Sequence, residues 1–270
     1  MKRKILVIHN GYPLRGDGGD KVRTLNMLQS LDSIGFDVCL LAFFKKDFSL
    51  LALNKKSMPS NIKSYFIFTL PDRWGLGGIA ALFRAVITWI IVKCNHIELI
   101  QLETSLSASC VRYLKKNILV VTDFHADPVP ELQMNGRTKS SINRAEKDVC
   151  YALSRSQRII AVSNNLANNL KKYYSYDCPF SILPCSFNSE KFHIDPAQMI
   201  ALREKMHLKE RIVLCYLGGL QKWQCVEETL DIFLRLKKKD DRYFLCIYTN
   251  HHVDVGTLSW PVGRVAHAED

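Results

Sequence analysis

Three stretches of the chain carry residues that could do chemistry. Gly218 and Gly219 follow the apolar run Ile212–Leu217 and precede Lys222, and beyond Cys225 the residues Val226, Leu230, Phe233 and Leu234 recur on one helical face. A strand, a glycine turn and a helix in that order can offer backbone N–H groups to a phosphate, with Lys222 as a nearby cation. The same order also occurs as plain packing, with Lys222 a solvated surface lysine. His125 lies in TDFHADPVPEL, just after an apolar run, at the end of a strand where open α/β sheets bind ligands. A lone histidine there serves equally well as a structural residue. Asp127 and Glu131 in the same loop could bind ligand hydroxyls, although turn chemistry around Pro128 and Pro130 explains them as well. Ser163 suits a helix N-cap as readily as a ligand contact. A third stretch, the polar loop Arg15-Gly16-Asp17-Gly18-Gly19, precedes a helix with Arg23 in its first turns.

Composition narrows the function classes. The 270 residues are 47% hydrophobic, enough for one large or two ordinary domains with a real core. A formal net charge of +11 calls for an anionic partner such as a nucleotide, a nucleic acid or an acidic lipid surface. Nine cysteines without a CxxC pair, three of them in apolar runs (Cys39, Cys215, Cys246), fit a reducing compartment. The apolar run after MKRK is too brief for a signal-peptide core, and Ile79–Val92, interrupted by Arg84, is too short to span a bilayer. The expectation is a soluble, cytoplasmic protein. No nucleic-acid module is recognisable, and no nucleophile-elbow sequence occurs.

The elements that must position these residues alternate strand and helix. Strands are expected at Ile5–Ile8, Val38–Phe44, Tyr65–Phe68, Leu99–Leu102, Ile118–Thr122, Arg158–Val162 and Phe180–Leu183, and beyond the middle of the chain at Ile212–Leu217 and Tyr243–Tyr248. Helices are expected at Asp20–Ile34, Ile79–Val92, Leu106–Lys115, Ser140–Ser154, Asn164–Tyr174, Pro196–Met206 and from Cys225. Repeated βα units of this kind argue for doubly wound, mostly parallel sheets, with Ile212–Leu217 covered on both faces.

Several segments together resemble the family-four retaining glycosyltransferases of GT-B fold. Gly18, Gly19 and Arg23 match that family's first loop and helix, GFDVCLL its next strand, and RIIAVS the strand before its domain junction. ILPCSFNSEKF resembles its linker, with Cys185 and Ser186 replacing Asn-Gly. YLGGLQKWQ resembles the opening of its nucleotide-binding domain, with Gly219 where an arginine is common. The resemblance implies an N-terminal Rossmann-like, acceptor-side domain over 1–190, a linker over 191–210 and an incomplete nucleotide-sugar domain over 211–270.

A sugar nucleotide's diphosphate must leave with its charge stabilised, so a cation and clustered N–H donors are needed at that point. By resemblance Lys222 holds the diphosphate with Gly218 and Gly219, Gly18 and Gly19 close on it from the other domain, and His125 contacts the transferred sugar. No Asp-x-Asp occurs, so neither a metal nor any other cofactor is expected, and His251, His252 and Asp254 lack the spacing of a metal site. The implied activity is sugar transfer with retention to a glycan or lipid-linked acceptor for a cell-surface polysaccharide. The lysine pairs at 45–46, 55–56, 115–116 and 171–172 suit a solvated face or peripheral contact with an anionic membrane. Few residues remain after Arg211 for a nucleotide domain, and the tail from Asn250 shows no apolar periodicity. The expectation is a truncated second domain lacking the family's donor-binding glutamate pair. The alternative is a non-catalytic homologue that binds a glycan or a partner enzyme.

Overall fold

The computed structural model describes residues 2–11, 19–44, 61–70, 77–186, 195–249 and 264–267. The chain divides into two compact units, Met1–Gln133 with Arg137–Ser186, and Met134–Gly136 with Phe187–Asp270.

The first unit is built on a seven-stranded parallel sheet. Its strands are β1 (Lys4–Asn10), β2 (Asp37–Phe44), β3 (Lys63–Phe68), β4 (Leu99–Glu103), β5 (Leu119–Phe124), β6 (Arg158–Ala161) and β7 (Phe180–Ile182), in the order β3-β2-β1-β4-β5-β6-β7. The chain runs outward from β1 to β3, returns, and runs outward the other way from β4 to β7. The reversal between β1 and β4 is a topological switch point, and the crevice at the carboxyl ends of these strands is the place where such sheets hold ligands. The helices are α1 (Gly19–Ser33), α2 (Gly77–Asn95), α3 (Pro128–Met134), α4 (Lys139–Arg155) and α5 (Asn164–Tyr174).

Unbroken apolar runs in β1 and β2 are explained by cover on both faces, which leaves Leu6, Val7, Ile8 and Leu40–Phe43 without measurable exposure. One cluster gathers Leu6, Ile8, Leu41 and Phe43 with residues of β4, β5, α2 and α4, and a second gathers Ile5, Val7 and Leu40 with Leu28 of α1. Two expectations fail here. Leu106–Lys115 is not an α-helix. Instead Ser105–Val111 forms a 3-10 helix capped by the Thr104 hydroxyl, because three serines in seven residues favour local side-chain bonding over helix propagation. The Pro128–Pro130 segment, expected as turn, is the first turn of α3, where the missing N–H groups of proline cost nothing.

The second unit contains α6 (Pro196–Lys205), β8 (Ile212–Leu217), α7 (Val226–Lys239), β9 (Tyr243–Thr249) and β10 (Arg264–His267). β9 pairs in parallel with β8 on one side and β10 on the other. The tail past Asn250 thus supplies a strand that its lack of periodicity did not announce. The core of this unit is Leu230, Phe233, Leu245 and Ile247, with Leu214, Tyr216 and Tyr243 packed against it. β8 is not covered on both faces as expected, since Leu217 is 82% exposed and Ile212 is also exposed.

Candidate active site

At the switch point the strands end in carboxylates. β4 closes on Glu103, β5 contains Asp123, and His125 follows β5 directly. Both carboxylates are buried, and His125 Nε2 lies 3.3 Å from Glu103 Oε2 and 3.5 Å from Asp123 Oδ2. These are ion-pair distances, although the ring is not aimed well enough at either oxygen for a formal hydrogen bond, and Nδ1 has no hydrogen-bond partner among the described residues. The His125 side chain is 13% exposed. Its burial opposes protonation, but the two carboxylates outweigh that and lift its pKa to about 9. The ring is therefore an imidazolium at neutral pH.

Both carboxylates are held by further partners. Arg23 of α1 lays its guanidinium fork on Asp123, with Nε to Oδ2 at 2.9 Å and Nη2 to Oδ1 at 3.0 Å. The same guanidinium donates from Nη2 to the Leu183 carbonyl at 2.9 Å and from Nη1 to the Pro184 carbonyl at 3.2 Å. Burial works against the charge on Arg23, but Asp123 more than restores it and the pKa stays above its ordinary value. Glu103 accepts from Gln101 Nε2 at 2.7 Å and from Thr24 Oγ1 at 3.1 Å. His9 of β1 stands beside Glu103 in the strand register. Thr104, between Glu103 and the 3-10 helix, has φ 65° and ψ 164°, a region a β-branched residue enters only under constraint. Its backbone N–H donates to the Asp123 carbonyl at 3.0 Å, which fixes the ends of β4 and β5 together.

Donor atoms of Glu103, Asp123 and His125 come within 4.8 Å of one another, close enough to raise the question of a metal. They do not fit one. Both Asp123 oxygens accept from the Arg23 fork, whose positive charge would repel a divalent cation at the same carboxylate, and both Glu103 oxygens already accept hydrogen bonds.

The other expected residues are scattered. Gly18 lies outside the described residues. Gly19 is the first residue of α1, with open space where a side chain would be, so no packing demands a glycine there. Asp127 is committed to structure: Oδ1 accepts from the Val129 N–H at 3.0 Å, and Tyr174 Oη reaches both its oxygens at 3.0 Å. Glu131, in the first turn of α3, is partly buried; burial first and the neighbouring Asp127 second raise its pKa. Ser163 caps α5 by accepting from the Leu166 N–H at 3.2 Å. In the second unit Lys222 begins a single 3-10 turn, Lys222–Gln224, and is exposed without an ion pair among the described residues. The turn before it is fastened by Tyr216 Oη donating to the Gly219 carbonyl at 2.5 Å. A Cβ on Gly218 or Gly219 would meet the Gln224 or Gln221 side chain.

Residues 17–191 match the family model described as Glycosyltransferase Family 4. The chain belongs to this family. Solved structures agree on the fold. HepE from Anabaena in complex with UDP is 15% identical with a TM-score of 0.60, the match covering 92% of this chain and 60% of that one. Its complex with UDP-glucose gives 15%, 0.62, 98% and 68%. Sucrose-phosphate synthase from Thermosynechococcus elongatus is 14% identical with a TM-score of 0.65, covering 92% and 62%. The lipopolysaccharide outer core galactosyltransferase WaaB in its apo form is 13% identical with a TM-score of 0.58, covering 91% and 60%. The chain thus spans about 60% of the length of most of these structures. Comparison with curated proteins gave no match. Family membership thus rests on residues 17–191, and the solved structures show the GT-B fold. The polar centre at the switch point includes Glu103, Asp123 and the Arg23 contact, which the sequence reading passed over; the available signal was an acid at the end of each of two apolar strands, LIQLE and VVTDF.

Proposed function

We propose that the protein transfers a sugar from a nucleotide-sugar donor, with retention, to a glycan or lipid-linked acceptor in the synthesis of a cell-surface polysaccharide, in the cytoplasm and at the inner face of the membrane. HepE binds UDP and UDP-glucose, which makes UDP-sugars the first donors to try. The acceptor side is assigned to residues 1–190 and the donor side to residues 211–270, joined by 191–210. His125 faces the transferred sugar. Lys222, with the backbone of Gly218 and Gly219, takes the diphosphate, and the Gly18-Gly19 loop contributes backbone N–H groups. Asp127 and Glu131 stand by the acceptor, with Asp127 acting mainly through the loop it shapes. No metal or other cofactor takes part.

The observation that carries this reading is the His125 ring at the switch point, paired with Glu103 and Asp123 and positively charged at neutral pH. A charged imidazole with a spare N–H can donate to a sugar hydroxyl or to the oxygen leaving with the diphosphate, and such a contact strengthens as negative charge builds in the transition state. A proton-abstracting role does not suit a group already protonated. The test is turnover of radiolabelled UDP-sugars with membrane-extracted acceptors, comparing the chain with His125→Ala. Transfer that drops by two or more orders of magnitude in the variant, with nucleotide affinity unchanged, supports the assignment. Equal transfer by both would remove His125 from the reaction, and donor binding without any transfer would favour the non-catalytic alternative.

A further inference from the structure

Helix α2 is apolar on two opposite faces. One face, with Ala80, Ala81, Ala85, Thr88, Ile91 and Val92, is buried within the first unit, and Arg84 is buried along with it. On the other, Ile79, Leu82, Phe83, Val86, Trp89 and Ile90 are each between 41% and 59% exposed. At 3.6 residues per turn these six fall within an arc of about 120°, and Lys93 falls within the same arc one turn further on. A helix apolar all round is at home inside a protein or in lipid, yet among the described residues this one is packed on one side only. Its 19 residues are long and apolar enough to cross a membrane by length and composition. The packed face and the buried Arg84 in its middle exclude that here, because crossing would strip the helix from the sheet.

The charges around the stripe decide what covers it. α2 contains no acidic residue. Between Gly77 and Leu119 the exposed charged residues are Lys93, Arg112, Lys115 and Lys116 against Glu98 alone. Trp89, Lys93, His96 and Lys115 line one concavity at the end of the stripe, so the basic cluster adjoins the aromatic side chain. A second copy of the chain would bring no carboxylate on this helix to meet those lysines, whereas lipid phosphates would. We propose that the exposed face of α2 docks on an anionic lipid membrane, the six apolar side chains entering the headgroup boundary and Lys93, Lys115 and Lys116 meeting lipid phosphates. This deepens the membrane part of the proposed function, and it concerns a face made of side chains that take no part in the polar centre.

Co-sedimentation of the full chain with vesicles tests it, and since no sugar transfer is read, its failure and that of the enzymatic reading are distinguishable. Vesicles of phosphatidylcholine with one-third phosphatidylglycerol should bind the protein, and pure phosphatidylcholine should bind it far less. Phe83→Glu with Trp89→Glu should lower binding by at least tenfold while circular dichroism stays that of the parent, since both side chains are already exposed. Lys115→Ala with Lys116→Ala should lower it roughly tenfold on anionic vesicles only. Equal binding to neutral vesicles, or undiminished binding by the double glutamate variant, would overturn the proposal. So would a dimer in sedimentation velocity that Trp89→Glu splits without loss of vesicle binding.

Discussion

The two units of this protein begin with similar local sequence and end with different interiors. KILVIHN and IVLCYL are both unbroken apolar runs, and both become parallel strands, β1 and β8. In β1 the five central residues are buried; in β8 none is, and Leu217 stands 82% exposed. The polar groups divide the same way. In the first unit Arg23 pairs with the buried Asp123, Thr24 and Gln101 donate to the buried Glu103, and His125 lies within ion-pair distance of both carboxylates. In the second, Lys222 is exposed on a short turn. An apolar run therefore predicts a strand, but what lies on its two faces predicts whether its charges are structural or available to a ligand.

The sharpest way to break that contrast is Asp123→Ala. It would leave the Arg23 guanidinium in place, its side chain only 9% exposed, without its carboxylate. Removing one partner of a buried ion pair costs about 3–5 kcal/mol, so urea unfolding of the first unit should shift by that order. A shift under about 1 kcal/mol would mean the network is as dispensable as a surface pair.

The converse change sits in the second unit. Lys222→Ala should leave unfolding stability within about 0.5 kcal/mol of the parent, as for an exposed side chain. It should weaken nucleotide binding by about 1.5–3 kcal/mol, the range of a charge-assisted hydrogen bond, when titrated by calorimetry in a nucleotide-binding form. Unchanged affinity would return Lys222 to the solvated surface.

The first unit should also carry a pH dependence. His125 is raised from its ordinary 6.5 to about 9, so the folded state holds its proton more tightly than the unfolded one. That contribution to stability is complete below about pH 6.5 and is lost as pH rises through about 9. NMR titration should find one histidine ring charged well above neutrality, returning toward 6.5 in Glu103→Gln. A ring titrating at its ordinary value in the parent would dissolve the ion pairs drawn around it.

Much of the first sheet was legible because buried parallel strands announce themselves as apolar runs, and helix α5 because Ser163 marks its start. Less was legible where one residue type serves two masters. Pro128 and Pro130 read as turn, yet proline at the head of a helix loses nothing, and α3 formed there. Asp127 reads as a ligand group but spends its oxygens on Val129 and Tyr174. The polar centre was the least legible part. His125 is noticed from its place after a strand, whereas Glu103 and Arg23 lie 22 and 102 residues away along the chain and meet it only because the strand order reverses between β1 and β4. Distance in sequence hides what topology joins. The outward side of α2 was equally unreadable, since a composition apolar all round gives no sign of which half meets the sheet.

Arg23 makes a claim on geometry that outlasts its energetics. A guanidinium is flat, and its donors leave in fixed directions within one plane. By binding both Asp123 oxygens and the carbonyls of Leu183 and Pro184 at once, it draws the end of β5 and the chain just past β7 toward a shared plane, although β6 separates the two strands in the sheet. A lysine in its place carries the same charge with no plane to enforce: it could neutralise Asp123, but the segment after β7 would lose the set square that fixes its angle to the polar centre.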